Sequence, residues 1–138
     1  MMENKDPIRF KLTITYDGSG YAGWQVQKKD VGVQQRVEEA LRKLFPSVKR
    51  IHSSSRTDTG VHATGQVASV DMPERWTPAE LLKSLNATLP REIWVESVRR
   101  AAPDFHPRYD AIARTYTYRV GVDDQARSPF QRGRCWAL

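Results

Sequence analysis

The segment from Ile8 to Tyr16 constrains this chain more than any other, because Ile8, Phe10, Leu12, Ile14 and Tyr16 alternate with Arg9, Lys11, Thr13 and Thr15. Successive strand side chains point to opposite faces, so a strict two-residue period predicts a strand with one face buried. It runs into Asp17-Gly18-Ser19-Gly20 and then Gly23-Trp24-Gln25, a stretch in which glycine permits positive φ. A structured loop is expected directly after this strand.

The remaining elements follow from the same kind of pattern. Val33, Val37, Ala40, Leu41 and Leu44 recur at helical spacing, with Arg36, Glu38, Glu39, Arg42 and Lys43 on the other side and Pro46 closing the segment. This predicts a helix over about residues 33–45. Val48 to Ser54 is a short strand candidate, and Gln66 to Met72 a better one with Ala68, Val70 and Met72 on one face. Between them Ser55 to Thr64 is polar and turn-prone. Thr77, Pro78 and Glu80 form a capping box ahead of Leu81, Leu82 and Leu85, and Pro90 ends that helix. Ile93 to Val98 reads as a strand, and Ala113 to Val122 as a longer one with Tyr116, Tyr118, Val120 and Val122 on one face. The order predicts an α+β fold: a ferredoxin-like, split βαβ antiparallel sheet with two helices on one face, plus an extra C-terminal strand.

With 138 residues, 39% hydrophobic and 28% charged, the chain suits one compact globular domain, residues 1–138. No apolar stretch approaches the eighteen or so residues of a membrane helix, and MMENKDPIRF is too polar for a secretory signal, so no membrane association and a cytoplasmic location are expected. Lone Cys135 makes no internal disulfide, and His52, His62 and His106 show no metal-ligand spacing. The apolar ending Cys135-Trp136-Ala137-Leu138 reads as cut rather than finished.

Charge separates the function classes further. A net charge of +6 and a pI near 9.7 fit a polyanion binder, although a solvated basic surface has the same composition. Residues 99–138 hold eight arginines against four acids, net +4, while residues 1–98 hold fourteen bases against twelve acids, net +2. The C-terminal part is the expected nucleic-acid face.

The stretch Ser55-Arg56-Thr57-Asp58-Thr59-Gly60-Val61-His62-Ala63 sets a carboxylate between two threonines, beside an arginine and ahead of a glycine. Asp58 could serve as a nucleophile. On turn chemistry alone, an aspartate two residues before glycine closes a turn by bonding its own backbone. Arg56 taken alone is a surface arginine paired with a nearby acid, and Tyr116 a cross-strand core aromatic. Asp17, Trp24 and His62 lack a partner acid at useful sequence spacing and are assigned structural duty.

Tyr16-Asp17-Gly18, Gly23-Trp24-Gln25, Val33-Gln34, Glu39-Ala40-Leu41, Arg56-Thr57-Asp58, Gly60-Val61-His62-Ala63 and Gln66-Val67-Ala68 occur in that order. Leu85-Asn86-Ala87, Leu89-Pro90, Phe105-His106 with Arg108, and Arg114-Thr115-Tyr116 with Tyr118-Arg119 follow. In these residues the chain resembles the tRNA pseudouridine synthase A family, from Arg9 to Arg119. Ser55 stands where that family usually has glycine, and Thr59 and Pro107 where it usually has alanine.

The resemblance implies the amino-terminal half of a pseudouridine synthase fold, in a family about twice as long whose second half completes the cleft. It implies isomerisation of uridine to pseudouridine in the anticodon arm of tRNA, without metal or cofactor, by a homodimer in its full-length form. Asp58 maps onto the catalytic aspartate. Arg56 maps onto an arginine that helps draw out the target nucleotide and holds phosphate, and Tyr116 onto the tyrosine that stacks on the target base. Arg108, Arg114 and Arg119 are assigned to phosphate contacts on the RNA-facing surface. The chief rival is a noncatalytic RNA-binding module of ferredoxin-like fold, which would carry aromatic runs that this chain lacks. A phosphoryl-transfer enzyme with an aspartate nucleophile would need a second acid and a magnesium site that the sequence does not offer.

Overall fold

The computed structural model describes residues 7–73 and 75–117, together with the backbone of the short strands at 120–121 and 136–137. Strand β1 (Ile8–Tyr16) leads through the glycine-containing loop to helix α1 (Val33–Leu44), the short β2 (His52–Ser53), β3 (Ala63–Met72), helix α2 (Pro78–Thr88) and β4 (Ile93–Arg100). These four strands form one sheet in the order β2-β3-β1-β4, with antiparallel neighbours throughout. That is the split βαβ topology which the element order predicts.

The period of β1 decides which side is covered. Phe10, Leu12, Ile14 and Tyr16 are buried and stand opposite Val70, Ala68 and Gln66 of β3 and Val98, Val95 and Ile93 of β4. Residues directly opposite in an antiparallel pair share a face, so one sheet face becomes continuous apolar surface. Val33, Val37, Ala40 and Leu41 of α1 and Leu81 and Leu85 of α2 close over it. Each large side chain buried there contributes about 1.5–3 kcal/mol of hydrophobic stabilisation. The opposite face keeps Arg9, Lys11, Thr13 and Thr15, with Arg9 paired to Asp71 at 2.9 Å.

Helix α2 starts as its capping box predicts, with the Glu80 amide donating to Thr77 Oγ1 at 3.2 Å. Helix α1 departs from its pattern, because Gln34 and Glu38 are both buried although the spacing places Glu38 on the solvent side. Glu38 accepts hydrogen bonds from Gln34 Nε2 and the Ile51 amide, each at 3.0 Å, and Arg42 lies 3.4 Å away. The strand expected over 48–54 shrinks to two residues for the same reason. Arg42 Nε donates to the Val48 carbonyl and Glu38 takes the Ile51 amide, so α1 side chains occupy backbone groups that a strand would pair.

The strand that the spacing predicts over 113–122 differs most from the structure. Residues 111–117 form no regular element, Val120–Gly121 (β5) pairs in parallel with Trp136–Ala137 (β6) in a separate small sheet, and Tyr118 and Arg119 lie outside the described residues. β2 has only two paired residues, which gives a further strand little edge to join. Two irregularities bend β1 near its end, between Thr13 and Ile14 against β4 and between Ile14 and Tyr16 against β3. Gly65 sits in the second with φ of +81°, a conformation glycine adopts without strain. Both bends lie where the chain enters the loops described next.

Candidate active site

Asp58 stands on the loop between β2 and β3 and is exposed. Its side chain does not cap the turn. The turn closes through backbone instead, the Val61 amide donating to the Asp58 carbonyl at 3.1 Å with Gly60 at φ of +79°. A positive φ at the third position marks a type II turn, which glycine accommodates best. Among the described residues the Asp58 carboxylate has no hydrogen-bond or ion-pair partner. Its lone pairs are available to a bound molecule.

The loop carrying this free carboxylate is itself tightly held. Thr57 is fixed twice: its hydroxyl meets the Tyr16 hydroxyl at 2.7 Å, and its carbonyl accepts from the Trp24 amide at 3.1 Å. The Gly60 amide donates to the Tyr21 carbonyl at 3.1 Å and the Gly18 amide to His62 Nδ1 at 3.0 Å. Asp17 Oδ1 lies 3.2 Å from that same nitrogen, so the acid facing His62 comes from 45 positions earlier in the chain rather than from nearby sequence. On the other flank, Gln66 accepts from Ser54 Oγ at 2.9 Å and donates to the Ser55 carbonyl at 2.7 Å.

Close backbone approach explains the glycines of the first loop. A Cβ on Gly18 would lie 1.9 Å from the Val61 carbonyl oxygen, and one on Gly23 would lie 2.4 Å from that of Thr57. Gly23 also has φ of +77°. Under this contact the Tyr16 and Trp24 rings stack with centroids 5.9 Å apart, both buried. Burial raises the Tyr16 phenol above its ordinary pKa, an effect opposed by its hydrogen bonds to Thr57 and Gln66, so the hydroxyl is neutral and its bonding role is fixed over the physiological range.

The arginines expected at the site take different positions. Arg56 is exposed on the Asp58 loop, two residues before the carboxylate. Arg114 Nε donates to the Ser54 carbonyl at 3.0 Å and its Nη2 to the Arg108 carbonyl at 2.9 Å, so this guanidinium joins the 101–117 segment to the base of the loop. Arg108 is exposed in that segment, and Arg119 lies outside the described residues. Tyr116 is 58% exposed rather than buried across a strand, and Tyr109 is 77% exposed. A cavity of about 350 Å³ elsewhere, lined by Tyr21, Arg36, Glu39, Lys43 and Glu92 among others, contains no residue of the Asp58 loop. Asp58 itself is exposed at the surface. An unpartnered carboxylate on a loop bonded on both sides, with the exposed Arg56 two residues before it, can act as nucleophile or base toward an anionic ligand.

One neighbouring turn is sensitive to pH. His106 Nδ1 accepts from the amides of Arg108 at 3.1 Å and Tyr109 at 3.3 Å, which requires that nitrogen to be unprotonated. Burial and the nearby His52 ring, 5.2 Å away, hold the His106 pKa below its ordinary 6.5. A lowered folded pKa means that the unfolded chain binds the proton more readily. The contribution of this turn is therefore complete above pH 6.5 and is lost as pH falls through the folded value. In an NMR titration the His106 ring should titrate below 6.5, with the Arg108 and Tyr109 amides shifting in step. A ring titrating at or above 6.5 contradicts the arrangement.

Comparison with known proteins gives a consistent picture. A family model described as tRNA pseudouridine synthase matches residues 12–110. The chain is 44% identical over 130 residues to tRNA pseudouridine synthase A of Rhodospirillum rubrum, covering 94% of this chain and 46% of that protein. It is 38% identical over 128 residues to the enzyme of the same name from Maridesulfovibrio salexigens, covering 93% and 47%. Against that of Limosilactobacillus fermentum it is 42% identical over 127 residues, covering 90% and 49%. The chain thus spans about half the length of these curated relatives.

Proposed function

This chain belongs to the tRNA pseudouridine synthase family, and from that premise we propose that Asp58 is the catalytic residue of a full gene product that isomerises uridine to pseudouridine in the anticodon arm of tRNA. The observation that carries the reading is the Asp58 carboxylate itself, exposed and without a partner among the described residues, on a loop otherwise bonded on both sides. An acid kept for structure would be engaged.

The reaction breaks the bond from ribose C1′ to uracil N1, turns the base, joins C1′ to C5, releases the C5 proton and leaves N1 protonated from solvent. A carboxylate serves this by adding to C1′ or to the base, or by taking a proton from C2′. Arg56 helps extract the nucleotide and holds phosphate, its planar fork matching a phosphate's oxygens. Tyr116 offers a ring face that holds a turning uracil without fixing its edges. Arg108, Arg114 and Arg119 position the RNA backbone, with Arg114 acting from its anchor on Ser54. The reaction class calls for no metal or cofactor. The working enzyme is read as a cytoplasmic homodimer in which this domain supplies the aspartate and a second half supplies the opposing wall. Among the described residues no helix is long and apolar enough to cross a membrane.

The test uses tRNA tritiated at uridine C5. The full gene product should release label to water, and the isolated 138-residue chain, with its carboxylate on an open surface, should release far less. Tight tRNA binding by the full gene product with all label retained would identify a noncatalytic RNA-binding module instead.

A further inference from the structure

We propose that the Tyr16 hydroxyl is a positioning residue for Asp58, acting through Thr57, in an arrangement that rests on the reading of Asp58 as catalytic. Tyr16 is the last residue of β1 and is 3% exposed, its ring stacked on the buried Trp24. Its hydroxyl reaches 2.7 Å across to Thr57 Oγ1, on the residue immediately before Asp58. The same aromatic pair holds the other side of Thr57, since the Trp24 amide donates to the Thr57 carbonyl at 3.1 Å. Thr57 is thus fixed at side chain and backbone by two core residues, Tyr16 through its hydroxyl and Trp24 through its backbone amide.

The geometry separates this role from simple support. The Asp58 carboxylate has no partner of its own among the described residues, so its direction is set by the backbone on either side. On the C-terminal side the Val61 to Asp58 and Gly60 to Tyr21 bonds fix that backbone. On the N-terminal side, next to Asp58, Thr57 is the anchor, and its side-chain half is the bond to Tyr16. A misplacement on the order of 1 Å can cost about a hundredfold in rate without altering how the rest of the substrate is held. The Tyr16 to Thr57 bond should therefore matter to turnover far more than to tRNA affinity.

The test compares Tyr16→Phe, Thr57→Val and the double variant in the full gene product. Tyr16→Phe removes the hydroxyl and keeps the ring, so the stack with Trp24 and the burial persist. Each single variant should lose about 10- to 100-fold in kcat, with KM and tRNA Kd within about twofold of the parent. The double variant should lose little more than Tyr16→Phe alone, because Tyr16→Phe already removes the bond that Thr57→Val deletes, together with the Tyr16 bond to Gln66. Thr57→Ser, which retains the hydroxyl, should keep most of the activity. Unchanged kcat, additive losses, or a loss that only tracks the folded fraction in a thermal melt overturns the proposal. A parent without label release overturns the Asp58 reading instead, and hydrogen exchange then judges the anchor alone. The Trp24 and Gly60 amides should exchange faster in Tyr16→Phe, and unchanged exchange there sinks the positioning role.

Discussion

Asp58→Ala in the full gene product should abolish pseudouridine formation, a loss of about a thousandfold or more in kcat, while tRNA affinity and melting temperature stay close to the parent. The separation follows from what the side chain touches. Among the described residues its carboxylate makes no hydrogen bond or ion pair, and its turn is closed by the Val61 amide and a glycine at positive φ. Truncating an exposed, unengaged side chain typically changes stability by no more than about 0.5 kcal/mol. On the proposed role of Asp58, the chemistry loses its nucleophile or base outright. Asp58→Asn keeps the shape but not the charge and should be equally inactive, whereas a mere turn-former would tolerate asparagine well. Release of C5 tritium by Asp58→Ala at a tenth of the parent rate or more would show that another group performs the step.

Local pattern and long-range closure divide what could be read from the chain. The alternation in β1, the helical stripe of α1 and the Thr77 cap are local, and each appears where the pattern puts it. The sheet order follows from the element order because a split βαβ unit has few ways to bury its single apolar face. Val48 and Ile51 show where this reasoning stops. Both are apolar and buried, yet they stand three apart, and their backbone groups are bonded by Arg42 and Glu38 from α1. No window of adjacent residues contains that information.

The site was legible to a lesser degree and for a related reason. Asp58 and Arg56 stand out through the motif they share with a known family, while turn chemistry alone assigns the aspartate a capping role that the loop performs with backbone. The machinery holding the loop pairs residues 41 to 45 positions apart, Tyr16 with Thr57, Gly18 with His62 and Asp17 with His62. Glycines at 18 and 23 were the available signal. Each marks a place where another backbone comes too close for a side chain, although sequence does not say which backbone. Tyr116 reads as a core aromatic from its spacing and is exposed, because the strand that spacing implies does not extend through 113–117.

Glu38→Ala should cost about 3 kcal/mol of stability, the largest loss expected from any single truncation on α1's polar positions. Glu38 is 1% exposed, and its carboxylate accepts from the Ile51 amide and Gln34 Nε2 at 3.0 Å each. Alanine leaves both donors short of that acceptor, and each buried unsatisfied group costs about 1–3 kcal/mol. The two arginines nearby add less, since Arg42 and Arg50 are 41% and 61% exposed and water screens them. For a domain of this size the melting temperature should fall by roughly 10 °C. Glu38→Gln should cost less, because its carbonyl oxygen still serves both the Ile51 amide and Gln34 Nε2, while its own amide group opposes Arg42 on the other side. Glu38→Leu should fare about as badly as alanine despite filling the space, since it restores no acceptor. That order, glutamine above leucine and alanine, distinguishes a hydrogen-bond role from packing. Equal melting of the leucine variant and the parent would show that Glu38 is tolerated rather than required. Because Ile51 leads directly into β2 and the Asp58 loop beyond it, a loosened Ile51 should also lower turnover in the folded variant, though by much less than loss of the carboxylate at 58.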